Sequence, residues 1–374
     1  MGVALSAVMS ALEALAPPSL AEPWDRAGLQ VGDPAAPVDA VLVALDPSPA
    51  AVAQAALAGA QLLVTHHPMF LDPLPQIDLS TSQGRLLTRC LGEGVAVYCA
   101  HTNLDRATGG VNDWLAQRLG LREIGPLGRG EPQVKLVVTV PAGYEAGILR
   151  ALAGAGAGRI GRYRGCSFRS RGVGAFEPLE GAKPFRGRAG QGEEVEEVRV
   201  ETVVDRSRVR AVRAALAQAH PYETAALDLY PLEGESAAGS LGRVGALEER
   251  RTLSDFATWV GRVLDAPGVR FVGDPMAPID RIAVCGGSGA SLWREARAAG
   301  AQLLVTGDVR YHQAVDARQA GFCLLDAGHA ATEGVALECL ATALRDWSVE
   351  TGSELRVEMF REPDPFHWVA PAEC

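Results

Sequence analysis

His329-Ala-Ala-Thr-Glu333 sets an imidazole and a carboxylate four residues apart, on one face of a helical turn. Imidazole nitrogen and carboxylate oxygen are both ligands for borderline divalent metals. The apolar Phe322-Cys-Leu-Leu325 ahead of it predicts a strand, and Val335-Ala-Leu337 behind it continues as helix. Alone, such a pair is ordinarily a surface helix pair. The first half of the chain carries a counterpart, because His101-Thr-Asn-Leu-Asp105 also follows an apolar strand, Val95 to Tyr98. A further strand, Leu62-Leu-Val-Thr65, ends at His66-His67. Neighbouring side chains at a strand end point apart, so these two histidines, from only seven in the chain, suit two different ions.

The elements that must position these residues are repeated. Ala58-Gly-Ala-Gln-Leu-Leu-Val-Thr65 recurs unchanged as Ala299 to Thr306, and Val41 to Ala44 lines up with Ile282 to Cys285 at the same offset. Two such copies predict an α/β fold with two pseudo-symmetric halves forming one domain. In α/β folds ligands gather beyond the carboxyl ends of strands, where both His-x-x-x-acid motifs sit. Between the copies the character changes. A strand at Val134 to Val140, a helix at Tyr144 to Ala153, a strand at Val195 to Val204, a helix at Arg206 to Ala219 and a strand at Ala225 to Tyr230 predict an inserted ferredoxin-like α+β domain. The resulting division is residues 1–127, an insertion over 128–242, and residues 243–374, with the Gly/Ser-rich Gly234 to Gly242 as the return linker. His220-Pro-Tyr-Glu223 reads as a helix-to-strand turn, with a site at His220 and Glu223 as the alternative. Gly286-Gly-Ser-Gly-Ala-Ser291, opening a helix, has the form of a βα connection that can also offer backbone N–H groups to an anion.

The 374 residues are 48% hydrophobic, enough for a sizeable core, and carry a net charge of -10. With no basic tract, nucleic acid and anionic membranes are poor partners. The 35 basic residues include only Lys135 and Lys183 as lysines, a usage that looks like coding bias. Seven scattered cysteines without a C-x-x-C pair fit a reducing, cytoplasmic setting. No stretch is apolar enough to span a bilayer, and the N-terminus is a poor signal peptide. Its match to the myristoylation pattern, Met1-Gly-Val-Ala-Leu-Ser6, has no supporting basic patch and reads as coincidence.

Taken together, Trp24-Asp25, Gly28-Leu-Gln-Val-Gly32, Thr65-His-His-Pro68, His101-Thr-Asn-Leu-Asp105, Thr306-Gly-Asp308, Tyr311-His312 and Gly328-His-Ala-Ala-Thr-Glu333 resemble the dinuclear-metal proteins called GTP cyclohydrolase I type 2 homologues. These are also known as the NGG-interacting-factor-three-like family. The inserted segment resembles the PII-like, divalent-cation-tolerance domain of longer members, through Ile160-Gly161, Tyr163, Cys166 and His220-Pro-Tyr-Glu223. The resemblance implies two divalent metal ions held by His66, His67, Asp105, His329 and Glu333. Glu333 would bridge, with His67 and Asp105 on one ion and His66 and His329 on the other. It also implies a homohexamer, a dimer of trimers with the metal sites facing an inner cavity. Arg26 departs from the asparagine usual after Trp-Asp.

Three imidazoles and two carboxylates suit Zn, Fe, Mn, Co or Ni. Water held between two such ions becomes a strong enough acid to serve as a nucleophile at neutral pH. His101 is a candidate general base, and His312 and Asp308 are candidate acid–base or supporting residues. Arg26, Arg106 and Arg310 are candidates to hold a phosphate. The first expectation is a metal-dependent hydrolase acting on a small, phosphorylated or nucleotide substrate, with GTP ring opening suggested by the family name alone. The alternatives are a phosphoesterase using the same two metals, or a non-catalytic metal-binding or regulatory hexamer.

Overall fold

The computed structural model describes residues 2–72, 76–127, 131–161, 163–236 and 240–367. The chain forms two compact units, Met1–Arg129 together with Gly239–Cys374, and Gly130–Ala238. The protein is a mixed α/β molecule built on several sheets.

The first unit holds two main sheets. In one, strands run in the order Arg356–Phe360, Ala40–Ala44, Leu62–Thr65, Ala96–Cys99 and Gly28–Val31. The first four are parallel and the last is antiparallel. In the other the order is Arg270–Val272, Cys323–Asp326, Leu303–Thr306, Pro278–Val284, Gly242–Thr252 and Arg122–Leu127. The central three are parallel and the outer pairings antiparallel.

Strand alternation explains the layers. Val41, Val43, Leu62 and Val64 join Ile282, Val284, Leu303 and Val305 in one shared core with the helices Leu5–Leu15, Val111–Arg118, Leu253–Val263 and Val335–Thr351. The intervening Leu42, Ala44 and Leu63 face the opposite way, onto the helices Pro49–Leu57 and Ser82–Glu93. Because successive strand side chains alternate, a sheet buried on both faces reads as a continuous apolar run.

Register decides what lies at the sheet ends. Ala44 pairs with Thr65 and Thr65 with Cys99, so three neighbouring strands stop at one level. The His67 N–H then donates to the Leu45 carbonyl at 2.9 Å, and the Ala100 N–H to the Thr65 carbonyl at 2.9 Å. In the second sheet Thr306 pairs with Asp326, and the Ala327 N–H donates to the Thr306 carbonyl at 2.9 Å. Asp46, His66-His67 and His101 thus leave one strand edge together, while Asp308 and His329 leave the other.

The second unit is an antiparallel sheet with the order Leu227–Ser236, Glu131–Pro141, Glu193–Asp205 and Ser167–Phe176. The helices Glu145–Gly154 and Val209–Ala219 cover one face through Ile148, Leu152, Val212 and Leu216. Sequence patterning does not reveal Ser167–Phe176, because most of its residues are exposed on both faces and carry no alternation. The stretch read as a linker is strand at both ends: Leu227–Ser236 runs in from one side and Gly242–Thr252 leaves on the other, while residues 237–239 lie outside the described residues. Ladder pairs such as Glu235 with Pro132 form through the backbone, whatever the local Gly/Ser content. Among the described residues, no helix is long and apolar enough to cross a membrane.

Candidate metal centre

Glu333 is the hub. It is buried in the short helix His329–Glu333 and presents Oε2 to His67 Nε2 at 2.9 Å and to His329 Nε2 at 2.8 Å. Its Oε1 lies 3.7 Å from His66 Nε2. His66 Nε2 is also 3.5 Å from Asp105 Oδ1. One ligand atom each from His66, His67 and Glu333 falls within 4.8 Å of the others, close enough to share a metal ion.

Each imidazole has its second nitrogen tied down. His66 Nδ1 bonds the Ala100 carbonyl at 2.8 Å, and His67 Nδ1 bonds Asp46 at 2.8 Å. His329 Nδ1 bonds Asp308 at 2.7 Å, and His101 Nδ1 bonds Asp25 at 2.9 Å. Anchoring Nδ1 orients the ring and leaves Nε2 for the centre, the usual arrangement of metal-binding histidines. His66 Nε2 and Asp105 Oδ1 are buried without a hydrogen-bond partner. Two such atoms left facing each other inside a protein are costly unless something binds them. The donor set therefore fits a divalent cation.

The electrostatics agree. Burial works against charge on His67, but hydrogen bonds to Asp46 and Glu333 push it up to about 10. The Glu333 hydrogen bond, against burial, raises His329 to about 9. Burial raises Asp105 to about 6 despite the nearby imidazoles. Burial also opposes ionisation of Glu333, yet the three imidazoles hold it well below the usual carboxylate range. Protons on the imidazoles thus supply the positive charge beside Glu333 that a divalent cation would supply in their place.

The five expected ligands lie in one cluster around Glu333. The distances group His66 with Asp105, and His67 with His329, whose Nε2 atoms are 3.4 Å apart. The reason is local: His66 turns inward beneath the Ala100 carbonyl, while His67 turns outward to Asp46. His101 stands at the edge of the cluster, its ring 5.4 Å from that of His66 and 5.7 Å from that of His67. Asp308 is brought in through His329 and also accepts from Ser288 Oγ at 2.6 Å. His312 is not brought in: it is exposed at a helix start, against the Tyr311 ring. Arg106 is paired with Glu22, while Arg26 and Arg310 are exposed. The Gly286–Ser291 turn spends its N–H groups inside the protein: Gly286 donates to Asn112, Gly287 to Thr332 and Gly289 to Thr306. Its glycines serve close approach, since a Cβ on Gly287 would lie 2.1 Å from Glu333 Oε1.

A family model described as Duf34/NIF3 (NGG1p interacting factor 3) matches residues 3–365. The chain belongs to this family. Among curated relatives, "GTP cyclohydrolase 1 type 2 homolog" of Bacillus subtilis is 43% identical over 324 residues, covering 86% of this chain and 87% of the relative. The protein of the same name from Mycobacterium tuberculosis is 40% identical over 340 residues, 89% of each chain. The crystal structure of a Bacillus cereus protein related to NIF3 superposes with a TM-score of 0.85 at 38% identity, covering 99% of this chain and 100% of that one.

Several site residues went unread in the sequence. Asp46 and Asp25 each brace a histidine that lies elsewhere in the chain, His67 and His101, so no local motif marks them. Arg270, Asp326 and Phe366 line a cavity of about 640 Å³ beside His67 and His329. The available signals were an acid one residue past a strand for Asp46, and an isolated Arg at a strand start for Arg270.

Proposed function

We propose that this protein holds two divalent metal ions and hydrolyses a small, phosphorylated or nucleotide substrate. The carrying observation is Glu333, which turns Oε1 toward His66 and Oε2 toward His67 and His329, with Asp105 unsatisfied beside His66. His66, Asp105 and Glu333 would hold one ion, and His67, His329 and Glu333 the other. Zn, Fe, Mn, Co or Ni suit this set. When bound, such ions supply Lewis acidity toward a carbon or phosphorus centre and make water a stronger acid.

The remaining residues orient groups and move protons. Asp46 and Asp308 fix the rings of His67 and His329. Asp25 holds the Nδ1 proton of His101, leaving Nε2 to take a proton from water and return it to the leaving group. The cavity of about 640 Å³ has room for a nucleotide-sized molecule. On its wall Arg270 is paired with Asp326, yet its side chain remains largely exposed and suits a phosphate. The relatives' printed names make GTP the first substrate to test.

We extend the reading to two pseudo-symmetric halves, a ferredoxin-like, PII-like inserted unit and a homohexamer. The strand-helix-strand-strand-helix-strand order of the second unit supports the insertion.

The test is metal content per chain by mass spectrometry, followed by hydrolysis assays with GTP and phosphoesters under the metal found. About two equivalents and turnover that stops on chelation are expected. A chain that stays empty after incubation with Zn, Mn and Fe(II) would overturn the assignment. A loaded but inert chain would favour a regulatory, non-catalytic role.

A further inference from the structure

His220-Pro-Tyr-Glu223 lies far along the chain from the metal ligands, in the second unit, and each of its side chains has a place there. His220 is buried; its Nε2–H donates to the Thr139 carbonyl at 2.9 Å, and its Nδ1 accepts from the Tyr222 N–H at 3.1 Å. Both nitrogens are spent on backbone, so His220 fixes the turn and aims Tyr222. Glu223 accepts from the Lys183 N–H at 2.9 Å, tying down the loop that follows strand Ser167–Phe176. That loop lies over the sheet face opposite the two helices, and beneath it is a cavity of about 560 Å³.

Aromatic rings and a carboxylate line this cavity. Tyr222 stands 6.1 Å from Phe176 and 5.9 Å from Phe185, centre to centre. Glu197, on the central strand Glu193–Asp205, reaches the cavity from the sheet and is only 8% exposed. Gly174 on the next strand makes its room: a Cβ there would lie 2.3 Å from Glu197 Oε2. Among the described residues Glu197 has no ion-pair partner, and Arg186 on the covering loop is exposed. The Tyr222 hydroxyl is out of solvent and turned toward Glu197; burial, then the hydrogen bond to Glu197, push it up to about 12.

A carboxylate with no ion-pair partner on the wall of the cavity and the ring faces beside it both attract cations. We propose that this cavity binds a small organic ammonium, its apolar body among Phe176, Phe185 and Tyr222 and its charged nitrogen on Glu197. The cavity is built from residues of the second unit alone, and the proposal does not rest on hydrolase activity.

The probe is benzylamine, protonated at neutral pH, compared with the neutral benzyl alcohol by calorimetry on the full, metal-loaded chain. Benzylamine should bind saturably and about tenfold or more tightly than the alcohol, the preference of a charge-assisted contact. Glu197→Gln should abolish that preference. Phe185→Ala, at a ring that is 41% exposed and outside the core, should weaken both probes while leaving the melting temperature unchanged. Glu333→Ala should keep the preference, which separates this cavity from the metal cluster. Equal binding of the two probes, no binding of either, or a preference lost in Glu333→Ala would overturn the proposal. Should Glu197→Gln fail to fold, the amine-to-alcohol ratio and Phe185→Ala still decide.

Discussion

The two repeated segments carry nearly the same backbone and quite different side-chain duties. Gly32 and Gly273 take positive φ values of 134° and 132°, each ending a short antiparallel strand. Each is pressed against the neighbouring strand: an added Cβ would meet Ala96 Cβ at 2.6 Å in one and Cys323 Sγ at 2.7 Å in the other. Beyond the shared octapeptide the copies diverge. Where the first has His66-His67, the second has Gly307-Asp308. A side chain at Gly307 has no room, since its Cβ would lie 2.8 Å from the His329 backbone nitrogen. Asp308 then orients His329 instead of offering a ring of its own. One copy presents imidazoles directly; the other brings in an imidazole and a carboxylate from a helix and braces them. On the proposed assignment, the second repeat keeps the strand end and exchanges a ligand for a support.

The comparison breaks most completely at Glu333, where the two copies meet. Glu333→Ala should reduce retained metal from about two equivalents to near none, because both groups of ligands lose a member and buried imidazoles lose their counter-charge. Mass spectrometry of protein purified without chelator reads this directly, and metal retained at the wild-type level would refute the shared carboxylate. Next in size is Gly287→Ala. The position has φ +59°, and the new Cβ would collide with Glu333 Oε1. A loss of about 1–3 kcal/mol in urea unfolding is expected, with weakened metal binding, whereas Gly92→Ala, in open space on a helix, should be neutral or slightly stabilising.

Most of the first unit was legible because its strands are buried on both faces and its ligands are rare residue types at strand ends. Leu62–Thr65 and Leu303–Thr306 announce themselves as apolar runs. Gly28–Val31 and Gly242–Thr252 do not: the first is short, and the second ends in Glu248-Glu-Arg-Arg251. The matching Gly32-Asp-Pro and Gly273-Asp-Pro turns extend the repeat, but only the shared φ shows why they match. The candidate ligands could be named, but not the directions their side chains take. Which way the two adjacent histidines turn is set by the Ala100 carbonyl and by Asp46, far apart in the chain. His312 shows the converse: it follows Asp308 by four residues, the spacing of a helical pair, but the helix start leaves it exposed to solvent.

Asp46→Asn and Asp308→Asn sharpen the comparison at its supports. The two carboxylates hold His67 and His329 at nearly equal distances, 2.8 and 2.7 Å. Each substitution should cost about 10- to 100-fold in metal affinity, and the two costs should be similar. Competition against a chromophoric chelator measures both. A much larger loss for Asp46 would mean that the two supports are not equivalent, despite their like geometry.

The smallest effect is a pH dependence that the empty protein shows and the loaded protein lacks. Without metal, His67 and His329 are raised to about 10 and about 9. A group with a raised folded value contributes stability that is complete below its unfolded value, about 6.5 for histidine. That contribution is lost as pH rises through the folded value. The metal-free protein should therefore melt at progressively lower temperature between about pH 7 and 10. Asp105, raised to about 6, has its effect below that window, and Glu333, held low, is already ionised. Metal binding works the other way, because an ion must displace the protons on these rings, so affinity rises over the same range. The gap between loaded and empty melting temperatures should widen with pH, and weakly buffered titrations with Zn should release protons. If the gap narrows instead, protons and metal are not competing at His67 and His329, and the two copies do not share one centre through Glu333.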